Sequence, residues 1–424
     1  MKKENSILIL ISIFFYKIFL DIIYVYIIST YFGYLGFSIM NSFSYYLLSW
    51  FLIILFIPAL KRRFRDKKNP SSFILILLFY MSFIPFTTMV AFGFFNIYYI
   101  LINFAFFSLL FIFQGLLKNV NFLNRKKFTQ NINSIFIWNI SLFFLAIVIF
   151  ISWRYTGFRF HFNLFEVYDL REDASTFNLP GVISYLFAAS KAINPIILVY
   201  TLFKKNYSLA AIIVIIQLLS FGIDGSKSAF FMTLLSVAIY FFSKNAVLKL
   251  IPWLFCALSL AGLIEYYFVN SYTIVNIVIR RIMFVPNMLN YYYYDFFSAS
   301  MPDYYRQSFL RLFGFQSPYE RIPNMIGRQY FNKEDMAANS GLLSDSMTNL
   351  GLIGILIIPL LLAIIFRIFD NCTQGLDKRI YIMSSVYIAY VLISSFTLPA
   401  LLTHGFIAMF IVLYLLPREN KVKS

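Results

Sequence analysis

Histidine and cysteine are nearly missing from this chain of 424 residues, which holds two of each. His161 and His404 stand far apart with no Cys/His cluster beside either, so the sequence offers no metal site. Cys256 lies in an apolar segment and Cys372 in a short polar one, which gives neither a disulfide framework nor metal-type spacing. Charge is scarce too: 12% of residues are charged, whereas 61% are hydrophobic and 21% aromatic. A soluble domain could not hide that much apolar surface, so the solvent must largely be lipid. Motifs for soluble chemistry are also wanting. There is no GxSxG, and "GIDGSKSAFF" (222–231) lacks both the GxxxxGK[ST] spacing and the preceding strand of a P-loop. The plainer reading of that stretch is a tight turn, with Lys227 directed into an outer cavity.

What is present is a series of apolar runs. About 20 such residues cross a bilayer as a helix, the only unpaired-edge-free option for a single segment in lipid. Spans are expected near 6–31, 42–60, 72–93, 96–117, 132–153, 181–203, 207–223, 228–243, 249–270, 346–369, 380–397 and 399–416. The basic start "MKKENSILILISIFFYKIFL" reads as a retained first helix, because its apolar run is too long for a signal peptide. The expected fold class is therefore an all-α polytopic membrane protein of about 12 helices with two enlarged extracytoplasmic loops. Its parts are helices 1–5 (1–153), a first loop (154–180), helices 6–9 (181–270), a second loop (271–345), and helices 10–12 with a tail (346–424). Within the second loop, 274–297 and the amphipathic 303–313 are expected to lie along the membrane surface with their aromatics at headgroup level.

The net charge of +17 is confined to one face. One set of connections carries 22 Lys and Arg against 5 acids, and the opposite set carries 11 of each. Lys17, Asp21, Lys191 and Glu265 lie within spans and cancel. The positive-inside rule makes the basic face cytoplasmic, both termini included, and nucleic acid is not needed to explain the charge. The type of cation also differs between faces. Inside, 15 lysines outnumber 7 arginines; outside, 9 arginines face only Lys227 and Lys333. Guanidinium is a rigid fork that grips phosphate or carboxylate through two bonds. One reading of this bias is an outer cavity that binds a pyrophosphate. The other is that about half of the nine arginines hold loops through ion pairs with the acids. Arg154 and Arg159 suit headgroup anchoring. "YDLREDAST" (168–176) is either a solvated acidic turn or a place where Asp169 aligns Arg171 on phosphate. Arg280 and Arg281 are adjacent at the end of an apolar segment, and their nearest acid in sequence, Asp295, is several turns on.

The stretches "YDLR" (168–171), "GSKS" (225–228), "RRIMFVP" (280–286) and "ANSGLLSDSMTNLGLIG" (338–354) occur in an order, and on a side, that resembles the Wzy-type O-antigen polymerases, oligosaccharide repeat-unit polymerases of the membrane. The resemblance implies a GT-C-like fold and a glycosyltransferase of the bacterial cytoplasmic (inner) membrane. Donor and acceptor would both be polyprenyl-diphosphate-linked glycans, with membrane lipid as surroundings and a chain-length regulator protein as the expected partner. It implies no cofactor and no metal. Arg171, Lys227, Arg280, Arg281 and Arg328 would surround the pyrophosphate leaving group. Asp345 or Glu320 would serve as base, and Asn339 and Gly341 would shape the loop turn. An O-antigen ligase shares this architecture, but residues 271–345 lack the histidine that resemblance to ligases would favour. A flippase for the same lipid-linked sugars would need more charge inside its spans.

Overall fold

The computed structural model describes residues 3–66, 69–117, 130–158, 170, 173–174, 176–241, 246–334 and 336–418. Among the described residues there is no strand, and nine helices are long and apolar enough to cross a membrane. They are Ile7–Leu35, Phe43–Arg65, Ser71–Ala91, Ile97–Leu116, Ile135–Thr156, Gly181–Phe203, Tyr207–Asp224, Leu250–Val269 and Leu343–Thr373. Each coincides with an expected span. Three other expected spans fall on shorter helices, Lys227–Phe241, Lys378–Ser394 and the pair Thr397–Leu402 and Phe406–Leu415. The chain is an all-α, multi-pass membrane protein.

It divides into two compact units. The first contains Met1–Lys118, Leu248–Arg367 and Ala389–Leu398. Its centre is the Ser71–Ala91 helix, which is buried along its whole length. That helix has no polar face to spare, and its middle, Phe79–Phe83, widens to a π-helical turn. Such turns release carbonyls from the regular ladder, and two neighbours collect them. The Tyr16 hydroxyl donates to the Tyr80 carbonyl at 3.0 Å, and Asn287 Nδ2 donates to the Ser82 carbonyl at 3.0 Å. Asn287 Nδ2 also reaches the Met283 carbonyl at 2.7 Å, at the end of a second π-helical stretch, Val275–Phe284. Aromatic side chains fill the remaining space, with Phe56 and Phe83 rings 4.3 Å apart.

The second unit contains Asn119–Val247, Ile368–Ile388 and Pro399–Ser424. Its apolar core joins three helices through Val148, Ile151, Phe187, Ile216, Leu219 and Ile223. Gly405, at φ +78°, lets the chain pass against Ala189 and Ala192 of the Gly181–Phe203 helix, where a Cβ would lie 2.9 Å from the Ala189 Cα.

Asn287 is fully buried, and its amide bridges two helices of the first unit. Replacing it with alanine strands the Ser82 and Met283 carbonyls in lipid-like surroundings. A loss of about 1–2 kcal/mol is expected. Thermal unfolding of Asn287→Ala in detergent should start several degrees below wild type; an unchanged midpoint would show the amide to be dispensable.

Candidate anion site

The two adjacent arginines sit on a segment whose start is fixed by a carboxylate from the preceding helix. After the Leu250–Val269 helix, Asn270 turns the chain at φ +51°, a left-handed conformation that asparagine tolerates. Glu265 reaches across this turn. Its Oε1 accepts from the Ser271 hydroxyl and the Thr273 N–H, both at 2.9 Å, and its Oε2 accepts from the Ile274 N–H at 2.7 Å. A carboxylate on the first free N–H groups of a helix stabilises both the hydrogen bonds and the helix dipole. Gly262 permits the close return of the chain, because a Cβ there would meet Val275 at 2.9 Å.

From this start Val275–Phe284 runs as ten residues of π-helix. Runs of that length are rare, and short ones often mark functional positions. Asn276 lies one turn before Arg280, and its Oδ1 accepts from both Nε (3.0 Å) and Nη2 (2.6 Å) of Arg280. On its other side the Arg280 guanidinium lies 4.3 Å from the centre of the Phe32 ring, within cation–π range. Arg280 is therefore half-buried and held by a neutral amide and an aromatic face. Arg281 is exposed. The helix continues as Val285–Ala299, where Tyr292 stacks on Tyr330 at 4.4 Å and Asp295 accepts from the Tyr330 hydroxyl at 2.7 Å.

Arg328 is in the last turn of the Ile322–Phe331 helix and pairs with Glu320 at 3.2 Å. Both side chains are more than half exposed, at 52% and 73%, so the pair contributes at most about 1 kcal/mol. The loop beneath it is organised by Gln307. That side chain donates to the Tyr319 carbonyl at 3.0 Å and to the Glu320 carbonyl, and accepts from the Ile322 N–H at 3.2 Å. Asp303 anchors the same loop by accepting from Ser317 Oγ (2.6 Å) and the Gln307 N–H (2.8 Å).

Asp345 is fully buried near the start of the Leu343–Thr373 span. Its Oδ2 accepts from the Thr397 N–H and its Oδ1 from Asn349 Nδ2, each at 2.8 Å. Asn349 Oδ1 in turn accepts from the Tyr305 N–H at 3.2 Å. Burial, with Asp345 adding to it, pushes the Tyr305 phenol up, so it stays protonated. Gly341 packs where a side chain would overlap the Leu392 and Ser395 carbonyl oxygens. Asn339 is exposed, and its N–H closes a tight turn onto the Ala337 carbonyl at 2.9 Å. One turn on, Asn290 Oδ1 accepts from Ser344 N (3.0 Å) and Ser344 Oγ (2.7 Å), tying this loop to the arginine-bearing helix.

Of the nine residues singled out from sequence, Arg280 and Arg281 share one segment, Glu320 and Arg328 pair, and Asn339, Gly341 and Asp345 fall on one turn and the helix start that follows it. Those seven are in the first unit, whereas Lys227 opens the Lys227–Phe241 helix of the second. Arg171 lies outside the described residues. Lys227 is near a pair that sequence reasoning treated as separate charges: Lys191 binds Asp224, with the Lys191 ammonium 4.2 Å from the Phe187 ring centre. Sequence reasoning also passed over Glu265 and Asn276 as positioning groups. The i, i+4 spacing of Asn276 and Arg280 was the available signal for the second. Among the described residues no cluster of three or more His, Cys, Asp and Glu could hold a metal ion. No protein-family model, curated protein or solved structure matches this chain.

Asp345→Asn replaces an acceptor by an amide whose NH2 must face a donor, either the Thr397 N–H or the Asn349 amide. A loss of about 1–3 kcal/mol is expected, seen as a lower unfolding temperature in detergent. Wild-type stability in this variant would remove the clamp role from the carboxylate.

Proposed function

We propose that this protein polymerises polyprenyl-diphosphate-linked oligosaccharide repeat units into an O-antigen or capsule-type polysaccharide. The work is done at the outer face of a bacterial cytoplasmic membrane, within a bundle of about twelve helices whose two termini are cytoplasmic. The observation that carries this reading is the Arg280–Arg281 pair on a segment capped by Glu265, with Arg280 oriented by Asn276 and Phe32. The sequence resemblance supplies the substrate class.

In the reaction an acceptor hydroxyl oxygen attacks the anomeric carbon of the donor's reducing-end sugar. The bond from that carbon to the diphosphate breaks, and the lipid pyrophosphate leaves with the electron pair. Negative charge grows on the leaving oxygen, so fixed guanidinium groups beside it lower the barrier. The cations would take the place of a divalent ion, with Arg328 as a further phosphate contact. The acceptor proton needs a carboxylate that solvent and substrate can reach. Glu320 suits this better than Asp345, whose oxygens are both engaged, by the Asn349 amide and the Thr397 N–H.

Loss of a single contact of this kind lowers turnover by about 10²–10³. Arg281→Ala, confirmed as inserted at wild-type level, should replace the polysaccharide ladder by a single repeat unit on its final acceptor in glycan electrophoresis. A ladder of normal length and amount would overturn the pyrophosphate role. Gene deletion extends the test: no repeat unit on the acceptor would indicate a ligase, and units stranded on the cytoplasmic side a flippase.

A further inference from the structure

A groove in the first unit takes no part in the proposed reaction and shares no residue with it. It runs between the Phe43–Arg65 and Ile97–Leu116 helices and has a volume of about 390 Å³. Leu55, Ala59, Phe104 and Ile112 form its walls, and Arg62 and Arg63 close one end beside Gly115. Both helices bring their C-termini to that end, so their last carbonyls would by themselves repel an anion. Two cations are engaged on carbonyls in the last two turns of the Ile97–Leu116 helix. Arg63 Nη2 donates to the Phe111 carbonyl and Arg367 Nη2 to the Gln114 carbonyl. Arg63 is buried, its guanidinium 5.9 Å from the Phe111 ring centre, and a Cβ at Gly115 would press on it at 3.3 Å.

Arg62 is placed differently. It is exposed at the mouth of the groove, between Lys61 and the further cations Arg63 and Arg65. The rim is exposed and apolar, Leu55 at 47% and Ile112 at 51%, as expected of a surface in contact with lipid. The groove is thus apolar along its length, open to lipid on one side, and cationic at one end. That polarity matches one molecule class: a phospholipid with an anionic headgroup. Basic pockets between helices on the positive side of a membrane bind such headgroups by the same physics.

We infer that the groove holds an acyl chain of an anionic phospholipid from the leaflet on the protein's basic face, with the lipid phosphate on Arg62. The test is native mass spectrometry of the purified full chain in detergent, titrated with phosphatidylglycerol or phosphatidylcholine of equal chain length. Wild type should bind the first phosphatidylglycerol more tightly than the first phosphatidylcholine. Arg62→Gln should weaken that first phosphatidylglycerol about fivefold and leave phosphatidylcholine unchanged. Ala59→Phe, which fills the groove without touching the charge, should weaken both. Equal binding of the two lipids by wild type would overturn the site, and so would undiminished phosphatidylglycerol binding in either variant. Displacement of the lipid by millimolar inorganic phosphate would mean that a free anion, and not a seated lipid, is what Arg62 holds.

Discussion

In lipid, every backbone N–H and C=O and every charge must find its partner inside the chain, because water is not there to supply one. The irregular features of the first unit follow from that constraint. A π-helical turn at Phe79–Phe83 frees carbonyls in the most buried helix, and the Tyr16 hydroxyl and Asn287 amide arrive from two other helices to take them. Asn287 belongs to the helix that continues the arginine-bearing stretch, so satisfying the central helix also fixes the rotation of the segment that carries Arg280 and Arg281.

Three carboxylates in the spans obey the same rule in two ways. Asp21 is neutralised within its own helix by Lys17, four residues earlier, whose ammonium also lies 5.7 and 5.6 Å from the Tyr46 and Trp50 ring centres. Glu265 and Asp345 instead meet backbone N–H groups at the starts of other helical segments, Thr273–Ile274 and Thr397. A helix start carries partial positive charge, so it substitutes for a basic side chain. These two acids therefore do the work of joints. At Asp345, which is fully buried, removing one partner costs more than the contact itself is worth, because a desolvated group is left behind. Positions of this kind are held firmly in place by energy alone, whether or not they touch substrate.

The long apolar spans were legible in the sequence because a run of about 20 residues has few alternatives in lipid. The break in the last expected span, into Thr397–Leu402 and Phe406–Leu415, was not legible, because it depends on packing against neighbours, which a hydropathy pattern does not contain. Site residues divide in the same way. That Arg280 and Arg281 needed an explanation followed from the side of the membrane expected for them, but the groups that orient Arg280 come from tertiary structure. Phe32 is some 250 residues away in sequence, and the Glu265 contact exists only once the chain has turned at Asn270. Asp345 was visible as an acid beside a span, whereas its partner Thr397 lies 52 residues further on.

The arginine excess on one face had two readings, loop bracing and anion binding, and the contacts separate the arginines by what they touch. Arg306 donates to the Asp303 and Pro302 carbonyls, at 2.7 and 3.1 Å, and braces its loop. Arg328 meets a carboxylate, which offsets its charge. Arg280 gives two donors to one amide oxygen and lays its flat face on an aromatic ring. Together these two contacts fix the plane of the Arg280 guanidinium. Lysine could not replace it there: a single ammonium cannot take the Asn276 oxygen with two adjacent donors while presenting a flat face to Phe32.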